Sequence, residues 1–333
     1  MGWRGAIRSI NAAAKAAERD AKRRQRQLEQ QQKQYHKMQE LEQASYEVDA
    51  YQNHIDIIQS MHKDCSSPID WKQIAISPEP KKPEKSNIHE EKAKTTESNY
   101  HPGLIDRIFK REAVKRQKLA DDVKVAIRND ESAYIVDIKQ WKEKCADWSN
   151  NTELAQKVLN NDAKTKLAVI EDINPFSEIS TLGSSLSFNV NNNSIVDVTI
   201  KVHGADIIPS ESKSLLKSGR VSVKKMPKGQ FNELYQDYVC SCVLRVANEL
   251  FSILPDEMVF VTAVDKLLNS KTGHIEESPI LSVAVARDTL QSLNMDYIDP
   301  SDSMSNFVHH MSFMKTKGFE AVERLTPDSF LNM

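Results

Sequence analysis

"SLSFNVNNNSIVDVTIKVH", residues 185–203, is where this chain changes its period. Upstream, apolar residues recur at threes and fours; here they alternate. Leu186, Phe188 and Val190 share one face of an extended strand, and Val196, Val198, Ile200 and Val202 share one face of a second. Successive side chains of a strand point to opposite sides, so alternation marks a half-buried strand. The asparagines at 191–193 make the turn between them. The stretch predicts a β-hairpin that carries Asp197, Thr199, Lys201 and His203 on its other face.

Downstream, "GRVSVKKM" (219–226) reads as a third strand. "PKGQFNELYQDYVCSCVLRVANELFSILP" (227–255) is the strongest helix in the chain. Pro227 sits near its start, where a missing N–H does no harm, and Phe231, Tyr235, Tyr238, Cys242, Val246 and Leu250 share a face. "MVFVTAV" (258–264) and "ILSVAVA" (280–286) are apolar, β-branched runs that read as buried strands. "RDTLQSL" (287–293) and "PSDSMSNFVHHM" (300–311) read as short helices, and "GFEAVERL" (318–325) as a last short strand. With a helix before the hairpin, the order is αβββαββα, and residues 184–333 are expected to form an α+β domain with a mixed sheet.

Upstream, Trp3, Ile7, Ile10, Ala14, Ala17, Ala21, Leu28, Tyr35 and Met38 follow a heptad seam. From Leu41 the seam shifts by one residue and continues through Val48, Tyr51, Ile55 and Ile58. Residues 1–64 therefore read as one long basic amphipathic helix or coiled coil, ended by Pro68 in "CSSPIDW". Residues 65–103 read as a disordered Pro/Lys/Glu-rich linker, since 77–101 hold almost no apolar residue. A second coiled-coil helix is expected over 104–150, with Ala120, Val123, Ile127, Tyr134, Ile138, Trp141, Cys145 and Trp148 on its stripe. Trp141 and Trp148 read there as packing residues. Residues 151–183 supply a connecting helix at 152–171, bearing Leu154, Val158, Leu159, Leu167 and Ile170, and a boundary loop. Two long helices and a flexible loop predict an antiparallel helical hairpin, 41–62 against 104–148, or a dimer through the same seams.

The 333 residues are 39% hydrophobic and 28% charged, which suits extended, solvated helices joined to a smaller core. Net charge is −2, but residues 1–37 carry ten Lys/Arg against Glu18, Asp20 and Glu29, so this arm is +7 and the remainder −9. No apolar run is long enough to span a bilayer, so stable membrane insertion is not expected. Cys65, Cys145, Cys240 and Cys242 are too few for a disulfide scaffold and read as reduced thiols of a cytoplasmic protein.

Chemical motifs are sparse. Cys240 and Cys242, two apart on a helix, point about 200° from each other and cannot share one metal ion. His309 and His310, read as helical, likewise face two directions. There is no Walker A loop, no dinucleotide-binding glycine fingerprint and no nucleophile elbow. The stripe Glu233, Asp237, Ser241, Arg245, Asn248 reads as the polar face of an amphipathic helix.

The element order of residues 152–293 resembles the restriction-endonuclease-like core, including that of Mrr-like nucleases. That resemblance implies an Asp on the second strand and Glu-x-Lys on the third, which hold Mg²⁺ and steady the attacking water. Asp197 and Lys224 occupy two of these places as candidate catalytic residues, but Ser222 stands where the Glu belongs. A literal Glu211-Ser212-Lys213 follows Pro209 in what reads as a loop.

Two basic clusters are candidate nucleic-acid or phosphate contacts. One is Lys22, Arg23, Arg24 and Arg26; the other is Lys213, Lys217, Arg220, Lys224, Lys225 and Lys228, against Glu211 alone. No aromatic residue interleaves the second cluster, so it lacks a platform for stacked bases. The leading expectation is a non-enzymatic interaction or scaffold protein without a cofactor. Its basic arm and helices would bind a protein partner or self-associate. The alternative is a nucleic-acid-associated protein whose restriction-endonuclease-like core is an active or degenerate Mg²⁺-dependent nuclease.

Overall fold

A computed structural model describes Lys22 and residues 43–103, 111–176, 185–191, 193–217 and 221–330. The heptad seam of residues 1–42, with Arg23, Arg24 and Arg26, lies outside the described residues; Lys22 is helical and exposed. The chain divides into two compact units, Ile76–Glu153 and the remainder on either side of it. Among the described residues no helix is long and apolar enough to cross a membrane.

The larger unit is an α+β body. Its helices are α1 (Gln43–Ser60), which runs into a 3₁₀ turn (Met61–Lys63), and α2 (Trp71–Ala75). After the second unit comes the end of a 48-residue helix, α4 (Glu112–Leu159), and then α5 (Ala163–Ile173). The single helix expected over 152–171 is thus two pieces. Asn161 adopts a left-handed φ of 59°, which closes α4, and the Asp162 carboxylate accepts the Thr165 N–H at 2.8 Å to cap α5.

There follow β1 (Ser185–Val190), β2 (Val196–Lys201), α6 (Gly204–Ile207), β3 (Glu211–Leu215), β4 (Val221–Lys225) and α7 (Lys228–Ile253). The chain continues with β5 (Met258–Leu268), β6 (Ile275–Ala286), α8 (Arg287–Ser292) and α9 (Pro300–Ser303), then a second 3₁₀ turn (Met304–Asn306). It closes with β7 (Val308–Met314), β8 (Gly318–Glu320) and α10 (Pro327–Phe330). Six strands form a mixed sheet in the order β1-β2-β5-β6-β7-β8, with β2 and β5 parallel and the other pairs antiparallel.

Two readings of the sequence are corrected here. Residues 211–215 are a strand, not a loop, and pair with β4 in a separate two-stranded sheet. His309 and His310 lie on strand β7, not on a helix. The missed signal was the alternation of Phe307, His309, Met311 and Phe313.

The hydrophobic core lies between one sheet face and α7. Val196, Val198 and Ile200 of β2, Val259 and Val261 of β5 and Leu281 and Val283 of β6 join Tyr238, Val239, Cys242, Val246 and Leu250 in one buried cluster. Helix α7 is buried on nearly all sides, and Ser241, Arg245, Glu249 and Ser252 are buried with the apolar residues. These polar groups are matched by the chain between α1 and α2, which runs parallel to α7. Gln59 donates to Asp237 at 3.2 Å, the His62 N–H donates to Ser241 Oγ at 3.0 Å, and the Ser66 N–H donates to Glu249 at 3.2 Å. The Ile69 N–H reaches the Ser252 carbonyl at 2.7 Å, and the Trp71 indole reaches that of Ile253 at 2.9 Å. Ile55 and Ile58 of α1 belong to the same core, so the body itself covers the seam that the sequence assigned to a hairpin with 104–148.

The other sheet face carries a row of polar side chains in register: Thr199, Thr262, Ser282 and His310. The C-terminal segment straps across it. Leu325 donates its N–H to Ser282 Oγ at 2.9 Å, His310 Nδ1 meets the Glu323 carbonyl at 2.9 Å, and Phe330 meets Phe260 edge-on at 5.6 Å.

The smaller unit is a hairpin of unequal arms. One arm is α4, and the predicted stripe from Ala120 to Trp148 is its half-buried face. The other is the stretch read as disordered from its composition: a segment without helix or strand over 77–87 and then a helix, α3 (Ile88–Ser98). Asp130 of α4 caps α3 by accepting the N–H groups of His89 at 3.2 Å and Glu90 at 2.8 Å. A partner for the stripe exists after all, supplied by the linker.

Candidate functional site

Strands β3 and β4 form a two-stranded ribbon that lies beside α1. Ile208 before it and Met226 after it are buried, and the Met226 N–H donates to the Ser210 carbonyl at 2.9 Å, so both ends are rooted in the core. Between those anchors the sequence is mostly Ser and Lys, with Leu215, Leu216, Val221 and Val223 its apolar residues, and is too polar to enter the core. Opposed residues share a face. Glu211 with Lys225, Lys213 with Val223 and Leu215 with Val221 lie on one side, and Ser212 with Lys224 and Ser214 with Ser222 on the other.

The ribbon is cationic on both faces. Lys213 is 3.7 Å from Glu47 of α1, a loose surface pair. Lys217, Lys224, Lys225 and, on the first turn of α7, Lys228 are exposed, with no carboxylate in ion-pair reach among the described residues. Arg220, the sixth cation of the cluster, lies outside the described residues. Leu215, Leu216 and Val223 are also exposed beside the lysines.

Asp197 and Lys224 are not brought together. Asp197 is buried on β2 of the main sheet, where Arg324 of the C-terminal strap pairs with it at 2.9 Å. Lys224 lies on the separate ribbon. In the restriction-endonuclease-like order the third strand belongs to the main sheet; here that strand pairs only with β3. A carboxylate already neutralised by a guanidinium, with Ser222 in place of a second one, does not fit Mg²⁺. No group of three or more His, Cys, Asp and Glu that could hold a metal ion exists among the described residues.

The polar stripe of α7 is an internal fastening. His62 Nδ1 and Ser241 Oγ are 2.9 Å apart, an arrangement otherwise suggestive of a nucleophile and its base. Both residues are buried, at 1% and 0% exposure, and the hydroxyl also takes the His62 N–H, so the pair pins the chain instead of meeting a substrate. Burial, then the neighbouring Lys63 charge, holds the His62 imidazole below its ordinary pKa. Burial, then Asp299, raises the Asp237 carboxyl. Burial likewise pushes the Cys65 thiol up to about 11, and Cys240 and Cys242 are raised by the same cause, so none of these three thiols has the thiolate character of a nucleophile.

In comparisons with known proteins, no family model, no curated protein and no solved structure matches this chain.

Proposed function

We propose that this is a non-enzymatic interaction protein whose β3–β4 ribbon engages a polyanion, with double-stranded nucleic acid the preferred class. The observation that carries the reading is the set of exposed lysines on a ribbon rooted at both ends, with Lys224 on one face and Lys225 on the other. A two-stranded ribbon is narrow enough to enter a major groove about 12 Å wide. Lys217, Lys224, Lys225 and Lys228 are the exposed cations that meet its phosphate backbones. The Ser212, Ser214 and Ser222 hydroxyls suit backbone contacts of the kind that position a protein without specifying sequence.

The test is fluorescence anisotropy of a labelled duplex of roughly one to two helical turns, titrated against salt. Wild type is compared with a Lys217→Glu/Lys224→Glu/Lys225→Glu variant. Binding that falls steeply with salt, with a slope smaller by about one per lysine removed in the variant, supports the ribbon as a phosphate contact. Absence of binding at low salt, or equal binding by the variant, overturns it. Capture by anionic vesicles without any duplex binding overturns it too.

A second reading concerns α4. Val114, Val125 and Val136 are 71%, 49% and 53% exposed and recur every eleven residues, which keeps them on one face of a straight helix. This row favours self-association through α4 with a second copy of the chain. Sedimentation of wild type against Val125→Glu checks it: a dimer that the variant dissociates supports the reading, and a monomeric wild type removes it.

A further inference from the structure

The segment "SPEPKKPEK", residues 77–85, lies along α4 with a period of three. Ser77, Pro80 and Pro83 are half-buried, while Pro78, Glu79, Lys81, Lys82, Glu84 and Lys85 are exposed. A polyproline II helix has three residues per turn, so one ridge in three faces the surface it lies on. The facing surface is built to match. Trp148 Nε1 donates to the Ser77 carbonyl at 2.8 Å, and Trp141 Nε1 donates to the Pro80 carbonyl, also at 2.8 Å.

The spacings agree for a geometric reason. Seven helical residues, from Trp141 to Trp148, rise about 10.5 Å and return to the same face. One polyproline turn, from Ser77 to Pro80, rises about 9.3 Å. Two indole donors two turns apart therefore meet carbonyls one polyproline turn apart, with the segment running antiparallel to the helix. Lys82 lies over the Trp141 ring at 6.0 Å from its centroid. Asp137, one α-helical turn before Trp141, and Gln140 line a groove with Pro80 and Pro83. Such a segment has no internal hydrogen bonds, and the two carbonyls are its main handles. Aromatic donors over proline rings are the usual means of reading this conformation.

We propose that the Trp141–Trp148 face of α4 is a recognition site for proline-rich peptides in the polyproline II conformation, occupied in cis by Ser77–Pro83. The external ligand class is a peptide with proline or a small residue at every third position, held by its backbone carbonyls. The cis segment competes at an effective concentration of about millimolar, as a short tether imposes. The site is then closed in the isolated chain and opens to a ligand that outcompetes its own segment.

The first experiment measures anisotropy of a labelled SPEPKKPEK peptide against the full chain. Wild type is compared with Pro80→Gly/Pro83→Gly, in which the cis segment loses its stiffness. Binding to this variant at least about tenfold tighter than to wild type is expected. Adding Trp141→Phe and Trp148→Phe, which keeps the rings and removes both donors, is expected to abolish it. No binding to the loosened chain, or equal binding without the indoles, overturns the proposal.

A second experiment uses the wild-type chain alone and so does not depend on the folding of any variant. Trypsin cleavage after Lys81 is followed while a lysine-free peptide, SPEPQQPEQ, is added in excess. Displacement of the cis segment is expected to accelerate cleavage at that bond several-fold. Unchanged cleavage overturns the proposal.

Discussion

Arg245 and Glu249 form an ion pair at 2.9 Å inside the α+β body, 6% and 0% exposed, and the Glu249 carboxylate also accepts the Ser66 N–H and hydroxyl. One buried carboxylate thus joins α7 to the chain that arrives from α1. Removing either partner leaves the other charge uncompensated in a low-dielectric interior. Glu249→Ala is expected to lower unfolding free energy by about 3–5 kcal/mol in urea denaturation, and Glu249→Leu/Arg245→Met to recover part of that loss. A single-variant loss below about 1 kcal/mol would mean that water already reaches the pair.

Acidification is expected to loosen the same seam through His62. Its folded pKa lies below the ordinary value of 6.5, so its contribution is complete above 6.5 and is lost as pH falls through the depressed value. Asp237, raised from 3.8, acts in the opposite sense: its contribution is present below 3.8 and is lost as pH rises through its folded value. The urea midpoint of wild type should therefore fall as pH drops below 6.5, and that of His62→Gln should fall less. Parallel curves for the two proteins would remove His62 from the account.

Gly204 opens α6 directly against the Tyr235 ring, and a methyl group there would overlap that ring. The ring cannot retreat easily, because its hydroxyl donates to Asp265 and its edge meets Phe319 with centroids 5.1 Å apart. Gly204→Ala is expected to cost roughly 1–3 kcal/mol, seen as a lower Tm. Gly103→Ala, where nothing lies within 4 Å, serves as the neutral control.

The Asp197–Arg324 pair predicts a separation of two effects. Asp197→Asn should free the C-terminal strap, raising amide exchange at Leu325, with a stability loss of roughly 1 kcal/mol. Duplex binding should be unchanged, since the ribbon lies on another sheet. A loss of duplex affinity equal to that of the lysine variant would instead join Asp197 to the binding surface.

The sequence was most legible where a period is local. The alternation in β1 and β2, the apolar runs of β5 and β6, the length of α7 and the stripe from Ala120 to Trp148 each state their own element, because the residues to be buried lie on one face of a single strand or helix. The basic cluster of 213–228 was also legible as a cluster, since it is a run of residue types.

Pairing was not legible. "ESKSL" has no strand pattern of its own and becomes β3 only because β4 lies opposite, and a ribbon outside the main sheet removes Lys224 from the sheet that holds Asp197. The proline-rich stretch carries too little apolar surface to order itself, yet Trp141, Trp148 and Asp130 supply the donors and acceptors that hold it and its following helix on α4. Likewise, Asp237 and Ser241 read as part of the polar face of an amphipathic helix until Gln59 and His62 cover them. The sequence by itself determined which faces needed burial. Only the tertiary structure decided what buries them, because hydrogen bonds and contacts between segments 40 to 180 residues apart leave no trace in any local period.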